Sequence, residues 1–363
     1  SPENAKEVHN FLVNHNKLKH FLMKTRIPAF DAVKSFAIFL VVWGHSIQYL
    51  MPHDFFHNPM FELIYAFHMP LFMMVSGFFA FSSTKSTFIK MIKHKFIQLI
   101  LPCISWGILS ILLHTVKIVF KGKALNINTL AASIYHTLNG NYWFLKSLFC
   151  CYLIFNILFR LSHRNTIFLV IACLLTTIST GKYSISFMFP FFCIGILLNH
   201  YSDWLQSHLK PIAYISAVLF IGMYLFWDGN YTVYQSPSFT FNYFLKGDAL
   251  SVAVITTFRF LIGLAGSLCS ISLFMLWGRR ERQHRLWNIL CRYGRYTLGI
   301  YILQSLILEG QLSKIGLRNM NMALYDFVAT PVIALITIIL CILLIRCIER
   351  YRLPSLWLLG KEK

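Results

Sequence analysis

Long apolar runs decide what this chain can fold into. The run at 250–277 holds 28 residues, more than the roughly 20 an α-helix needs to cross about 30 Å of hydrocarbon. Similar runs recur along the chain. They predict an all-α, polytopic transmembrane helical bundle of about ten spans, at 32–50, 61–82, 96–120, 142–159, 165–180, 183–199, 211–227, 250–277, 296–312 and 325–345. Composition agrees: 57% of the residues are hydrophobic and 13% charged, where a soluble chain carries about 25% charged residues. A soluble enzyme of one or two domains is excluded.

The formal net charge of +20 would suggest nucleic acid in a soluble protein. Its distribution says otherwise. With the N-terminus inside, the segments expected to be cytoplasmic (1–31, 83–95, 160–164, 200–210, 278–295, 346–363) carry 23 of the 33 Lys and Arg, and the expected outer loops carry 6. That is the positive-inside pattern, with both termini cytoplasmic. No nucleic-acid motif competes, and no nucleic-acid partner is expected. The domain reading is a polar cytoplasmic segment at 1–31, a transmembrane domain at 32–345 and a basic cytoplasmic tail at 346–363. The polar start, Ser1 to Arg26, does not read as a cleavable signal, because no cleavage site follows the first apolar run. Most of the nine cysteines lie in apolar runs, and C-x-x-C is absent, so neither a disulfide nor a metal is expected.

Ionisable residues within spans are costly in lipid and are functional candidates by default. In the first span Lys34 and His45 are eleven residues apart, about 20° from a whole number of turns, so they share a face about 16 Å apart along the axis. Lys34 is near the inner end and can snorkel; His45, in the outer half, cannot. Gly44 lets another backbone or a substrate approach. The second span enters from outside through His68, which falls at a depth similar to His45, and Pro70 frees a carbonyl one turn back. Each histidine alone reads equally well as a packed side chain bonded to a carbonyl or a serine. Two at matched depth, one on the lysine's face, favour a site. Trp143 and Lys146 mark the outer end of the fourth span. Arg259, mid-span, needs an anionic or carbonyl partner, Glu309 or a bound phosphate among them. Lys117 and His114 read as interfacial. G-x-S-x-G, Walker, G-x-G-x-x-G and H-E-x-x-H motifs are absent, which leaves histidine as the titrating group suited to general base work near neutral pH.

At these residues the chain resembles the integral-membrane acyltransferase 3 family of bacterial O-acyltransferases. That family's hallmark is Arg or Lys, ten residues, then His in the first span, and Lys34 and His45 match it. Phe67-His68-Met69-Pro70-Leu71-Phe72 with Ser76-Gly77-Phe78, the basic stretch Lys90, Lys93, Lys95 up to Pro102, Trp143-Phe144-Leu145, Phe191-Phe192-x-x-Gly195 and Tyr296-Thr-Leu-Gly-Ile-Tyr301 follow in the family's order, over roughly residues 26–350. Three positions depart. Gln98 stands where the inner loop often has Arg, Gln304 where the last Tyr-rich motif often ends in His, and Leu148 where one large branch has Glu.

The resemblance implies an O-acyltransferase of the bacterial inner membrane that uses cytoplasmic acyl-CoA, usually acetyl-CoA, and a glycan or lipid-linked glycan hydroxyl as acceptor. Lys34, Lys90, Lys93, Lys95, Arg295 and Arg259 are then candidates for the CoA phosphates. His45 is the candidate base or transient acyl carrier, with Lys34 and His68 beside it. His68, Trp143 and Lys146 are candidates for the acceptor. The competing reading is a non-catalytic polysaccharide or lipid-linked-glycan exporter, which needs a continuous polar path and no chemistry at His45.

Overall fold

The computed structural model describes residues 27–50, 55–120, 142–162, 165–179, 184–237, 239–240, 243, 249–280, 284–308 and 320–362. Among the described residues there is helix and turn but no strand. The helices are α1 (Pro28–Leu50), α2 (Pro59–Tyr65), α3 (His68–Ala80), α4 (Phe88–Lys95), α5 (Leu101–Phe120), α6 (Trp143–Leu161) and α7 (Thr166–Ser179). There follow α8 (Ile185–His200), α9 (Leu209–Tyr224), α10 (Ala249–Arg280), α11 (Arg285–Tyr293), α12 (Thr297–Leu308), α13 (Thr330–Ile348) and α14 (Arg352–Leu359). Within the described residues the expected spans lie on helix, the second across a break at 66–67. Six segments are long and apolar enough to cross a membrane: Pro28–Leu50, Pro59–Lys85, Phe88–Phe120, Trp143–Leu161, Ala249–Arg280 and Met322–Ile348. Helices α7, α8, α9 and α12 are shorter, with 14, 16, 16 and 12 residues. Glu309 and the loop at 121–141 lie outside the described residues, as do the side chains of His114 and Lys117.

Helix α1 is the centre of the bundle. It buries 14 of its 23 residues, on more than one face, as a helix enclosed by others must. Helices α3, α10, α11, α12 and α13 surround it. Outer helices show the opposite pattern. On α13 Val332, Leu335, Ile336, Ile339 and Leu343 are all exposed, a helical stripe that suits lipid.

Two of the sequence landmarks turn out to be one structural feature. A Cβ on Gly77 would collide with the Phe192 carbonyl, and one on Gly195 with the Met74 carbonyl. Helices α3 and α8 thus pack backbone to backbone through a reciprocal glycine pair, the close approach that small residues allow in membranes.

The second span is broken. Helix α2 ends at Tyr65, Phe67 takes φ −144 and ψ −15, and α3 begins at His68. Pro70 cannot donate to a carbonyl one turn back, so the break sits where the ladder is already short of a donor.

The end of α1 that carries Lys34 is closed by elements that sequence reading took for loop and tail. Helix α10 runs on to Arg280, and α11 packs across α1, with Ser35 Oγ donating to the Leu290 carbonyl at 2.6 Å. Gly294 abuts the backbone of Asp31. Residues 346–363, expected as a tail, complete α13 and form α14. Trp106 Nε1 donates to the Leu358 carbonyl at 2.8 Å. Gly360, at φ +64, lies against the carbonyls of Ile97 and Gln98, a left-handed position that glycine adopts without strain.

Candidate active site

His45 is held by a residue on the ninth expected span. Its Nδ1 lies 2.9 Å from Gln304 Oε1, and Gln304 Nε2 donates to the Tyr301 carbonyl at 3.4 Å. The second bond sets which end of the amide is oxygen, so His45 Nδ1 carries the proton and donates. Its Nε2 is left with a lone pair. The helix segment that carries it is braced: Trp43 Nε1 donates to Thr330 Oγ1 at 2.9 Å, and the Tyr325 hydroxyl to the Ile47 carbonyl at 2.9 Å. Both bonds tie this half of α1 to the α13 region and fix the face that His45 presents.

His68 is 2% exposed, and its Nδ1 donates to the Ile64 carbonyl at 2.7 Å. The break before α3 makes this possible, because the ring takes a carbonyl that an unbroken helix would satisfy with backbone. Its Nε2 is likewise the unprotonated nitrogen. The two histidines are linked through Tyr65, which packs against the His68 ring and against Gly44 beside His45. Tyr65 lies edge-on to His68 with ring centroids 4.6 Å apart. A Cβ on Gly44 would come within 2.8 Å of that tyrosine's ring. The glycine before His45 therefore admits Tyr65.

Around this pair stands a group of aromatic side chains from separate elements. Tyr49 is 6.0 Å from the His45 ring, centroid to centroid. Tyr234, from the segment after α9, lies 5.8 Å from Tyr65, ring centroid to centroid. Tyr301, three residues before Gln304, lies 5.8 Å from the Phe144 ring, which follows Trp143.

The Lys34 end is basic. Lys34 Nζ is 3.7 Å from Asp31 Oδ1 and sits 4.6 Å above the Phe79 ring. Lys90 and Lys93 are exposed on α4. Lys95 turns inward instead, 4.0 Å from the Tyr152 ring centre and 3.0 Å from Gln98 Oε1. Arg295 is exposed and donates to the Tyr296 hydroxyl at 2.6 Å, and Lys361 stands 5.2 Å from the same ring while paired with Glu349. A cavity of about 640 Å³ opens beside these groups, lined by His94, Gln98, Glu349, Ser355, Gly360 and Lys361.

The structure thus brings His45, His68 and Trp143 into one region and Lys34, Lys95 and Arg295 to the other end. Arg259 joins neither set. It is 1% exposed, its Nη1 donates to the carbonyls of Ser236 and Pro237 at 3.0 and 3.2 Å, and its guanidinium lies 4.5 Å from the Phe187 ring centre. Its partners are carbonyls, one of the two kinds that a mid-span arginine needs. Lys146 lies in the first turn of α6 and is half-buried. Among the described residues no group of three or more His, Cys, Asp or Glu could hold a metal.

Sequence reading missed Tyr65, Tyr234 and the whole contribution of α14. Gln304 was visible only as a departure from the pattern, and its partnership with His45 explains why a polar side chain stands there.

A membrane-embedded helical bundle with an oriented imidazole at its core, cations at one end and phenols at the other has the parts of a group-transfer enzyme working within the bilayer. The chain belongs to the acyltransferase 3 family: the profile of that family's acyltransferase domain matches residues 27–346. It is similar to the nodulation protein NolL of Sinorhizobium fredii, 27% identical over 293 residues, which cover 77% of this chain and 77% of that protein. It is also similar to the NolL protein of Mesorhizobium japonicum, 28% identical over 201 residues, covering 53% of this chain and 52% of that one. No solved structure matches the chain significantly. The protein is a membrane acyltransferase.

Proposed function

We propose that this acyltransferase moves an acyl group, acetyl in the first instance, from acyl-CoA bound at the Lys34 end to a hydroxyl of a cell-envelope or surface glycan at the His45 end. In this reading the Lys34 end faces the cytoplasm of a bacterial cell and the bundle sits in the inner membrane, crossing it several times with both termini inside. The observation that carries the proposal is the Gln304–His45 bond. With Nδ1 donating at 2.9 Å, the imidazole keeps Nε2 free to accept a proton from an acceptor hydroxyl.

The step balances simply. The acceptor oxygen attacks the thioester carbonyl as His45 Nε2 takes its proton; the C–S bond then breaks, and the imidazolium returns the proton to the leaving thiolate. An ester and free CoA result. In the two-stage variant Nε2 attacks the thioester carbonyl and CoA leaves as the thiolate; the acceptor hydroxyl then displaces Nε2 from the acyl group, its proton passing to the thiolate. Gln304 accepts from Nδ1–H throughout, and that bond strengthens as the ring becomes charged.

The donor half rests on Lys34, Lys90, Lys93, Lys95 and Arg295. Phosphates suit clusters of this kind. Arg259 lies apart from this set, its Nη1 donating to the Ser236 and Pro237 carbonyls while its buried Nη2 has no hydrogen-bond partner in the structure. The acceptor half is supported by His68 and Trp143.

The test is an assay of purified protein in nanodiscs with acetyl-CoA and a panel of methyl glycopyranosides, following free CoA by thiol reagent and acetylated sugar by mass spectrometry. Sugar-dependent CoA release with a matching acetyl ester is the expected result. An exporter would give neither.

A further inference from the structure

We infer that Tyr234 and Tyr65, with the segment 228–237 that carries Tyr234, form a sugar-binding subsite over His45 that selects the acceptor. This rests on the acyl-transfer reading above and extends it to residues that no sequence motif marks.

The first observation is convergence. Tyr65 comes from α2, Trp143 from the start of α6, and Tyr234 from the segment after α9. Tyr65 and Tyr234 meet with ring centroids 5.8 Å apart, and Trp143 packs on Phe144, whose ring is 5.8 Å from that of Tyr301 near Gln304. Tyr65 touches both the Gly44 side of α1 and the His68 ring, so the group is continuous with the reacting histidine.

The second is the state of Tyr234. Its ring lies 5.8 Å from that of the buried Tyr65, yet 46% of the residue's surface stays exposed. An accessible phenol ring held against a buried neighbour suits a pyranose, whose C–H face stacks while its hydroxyls find partners at the rim. Each phenol also carries an O–H that can donate and an oxygen that can accept.

The third is that the segment is built to stay in place. Ser236 Oγ donates to the Asn230 carbonyl at 2.6 Å, the Asn230 N–H donates to Asp228 Oδ1 at 2.7 Å, and Gln235 and Ser236 both donate to the Thr232 carbonyl. Arg259, buried in α10, holds the carbonyls at 236 and 237. A charge buried this deeply in an apolar helix is costly, and its bonds to two carbonyls of one segment give it a positional role. Tyr234 is two residues from that latch.

The experiment measures sugar-dependent CoA release in nanodiscs with acetyl-CoA and methyl glycopyranosides as the acceptor probe. Tyr234→Ala should raise the half-saturating glycoside concentration at least tenfold, while the acetyl-CoA KM moves less than twofold. Tyr234→Phe keeps the ring and should stay within about threefold of wild type, and this rescue separates stacking from a folding defect. Tyr65→Phe should change the ranking among pyranosides that differ in one axial hydroxyl. If Tyr234→Ala saturates like wild type, the subsite is overturned while the acyl-transfer reading stands. If wild type shows neither CoA release nor an acetyl ester, both fall together.

Discussion

Replacing Gln304 with Leu removes the one side-chain partner of the His45 ring at nearly constant volume. Gln304 is 1% exposed, so no water is at hand to substitute for its carbonyl. The bond it makes is an ordinary one while the imidazole is neutral, and becomes charge-assisted once the ring has taken a proton. Hydrogen bonds to charged groups contribute about 1.5–3 kcal/mol, and about 1.4 kcal/mol corresponds to tenfold in rate. The loss should therefore lower kcat by about 10- to 150-fold. The acetyl-CoA KM should hold within twofold, because the donor's cations lie at the other end of α1. Gln304→Asn should resemble Leu, since one methylene fewer withdraws the carbonyl from the 2.9 Å contact. Gln304→His, which offers a ring nitrogen as acceptor, should restore part of the rate. Steady-state kinetics of acyl transfer in nanodiscs reads all three. A Gln304→Leu enzyme with kcat within twofold of wild type would refute the orienting role.

Gly77→Ala should separate α3 from α8, because the new methyl meets the Phe192 carbonyl; overpacking of this kind costs about 1–3 kcal/mol, and an unchanged Tm in detergent would contradict it. Lys34→Gln should raise the acetyl-CoA KM about tenfold and leave Asp31 without its 3.7 Å partner, whereas Lys34→Arg should stay within threefold; equal behaviour of the two would remove the charge argument. His68→Ala should lower transfer while CoA binding, read by thermal shift, stays nearly intact, and lost CoA binding in a folded variant would move His68 to the phosphate end.

The fold class was legible because apolar runs and basic loops are one-dimensional signals. Within the described residues the expected spans lie on helix, six of the segments being long and apolar enough to cross a membrane, and the Lys34–His45 spacing put both residues on the central helix. The segments lost to sequence reading share a cause. Helices α11 and α14 are short, at nine and eight residues, and each begins with Arg and is followed at once by Gly, so they read as loop and tail until packing gives them a partner. The site was half legible. His45 and His68 stood out because ionisable groups in apolar runs are conspicuous. Tyr65 and Tyr234 did not, since tyrosine at a membrane boundary is ordinary. Gln304 showed only as a break in a pattern. Arg259 was recognised as needing a partner, but the partner is a pair of main-chain carbonyls, and those have no sequence signature.

The central claim is that acyl transfer runs through the His45 imidazole. It is tested most directly by comparing wild type and His45→Ala for transfer of radiolabelled acetyl from acetyl-CoA to a methyl pyranoside, in proteoliposomes matched for protein amount and Tm. The account predicts that the variant folds, binds CoA and transfers no label above background. Transfer above a few per cent of the wild-type rate would contradict it.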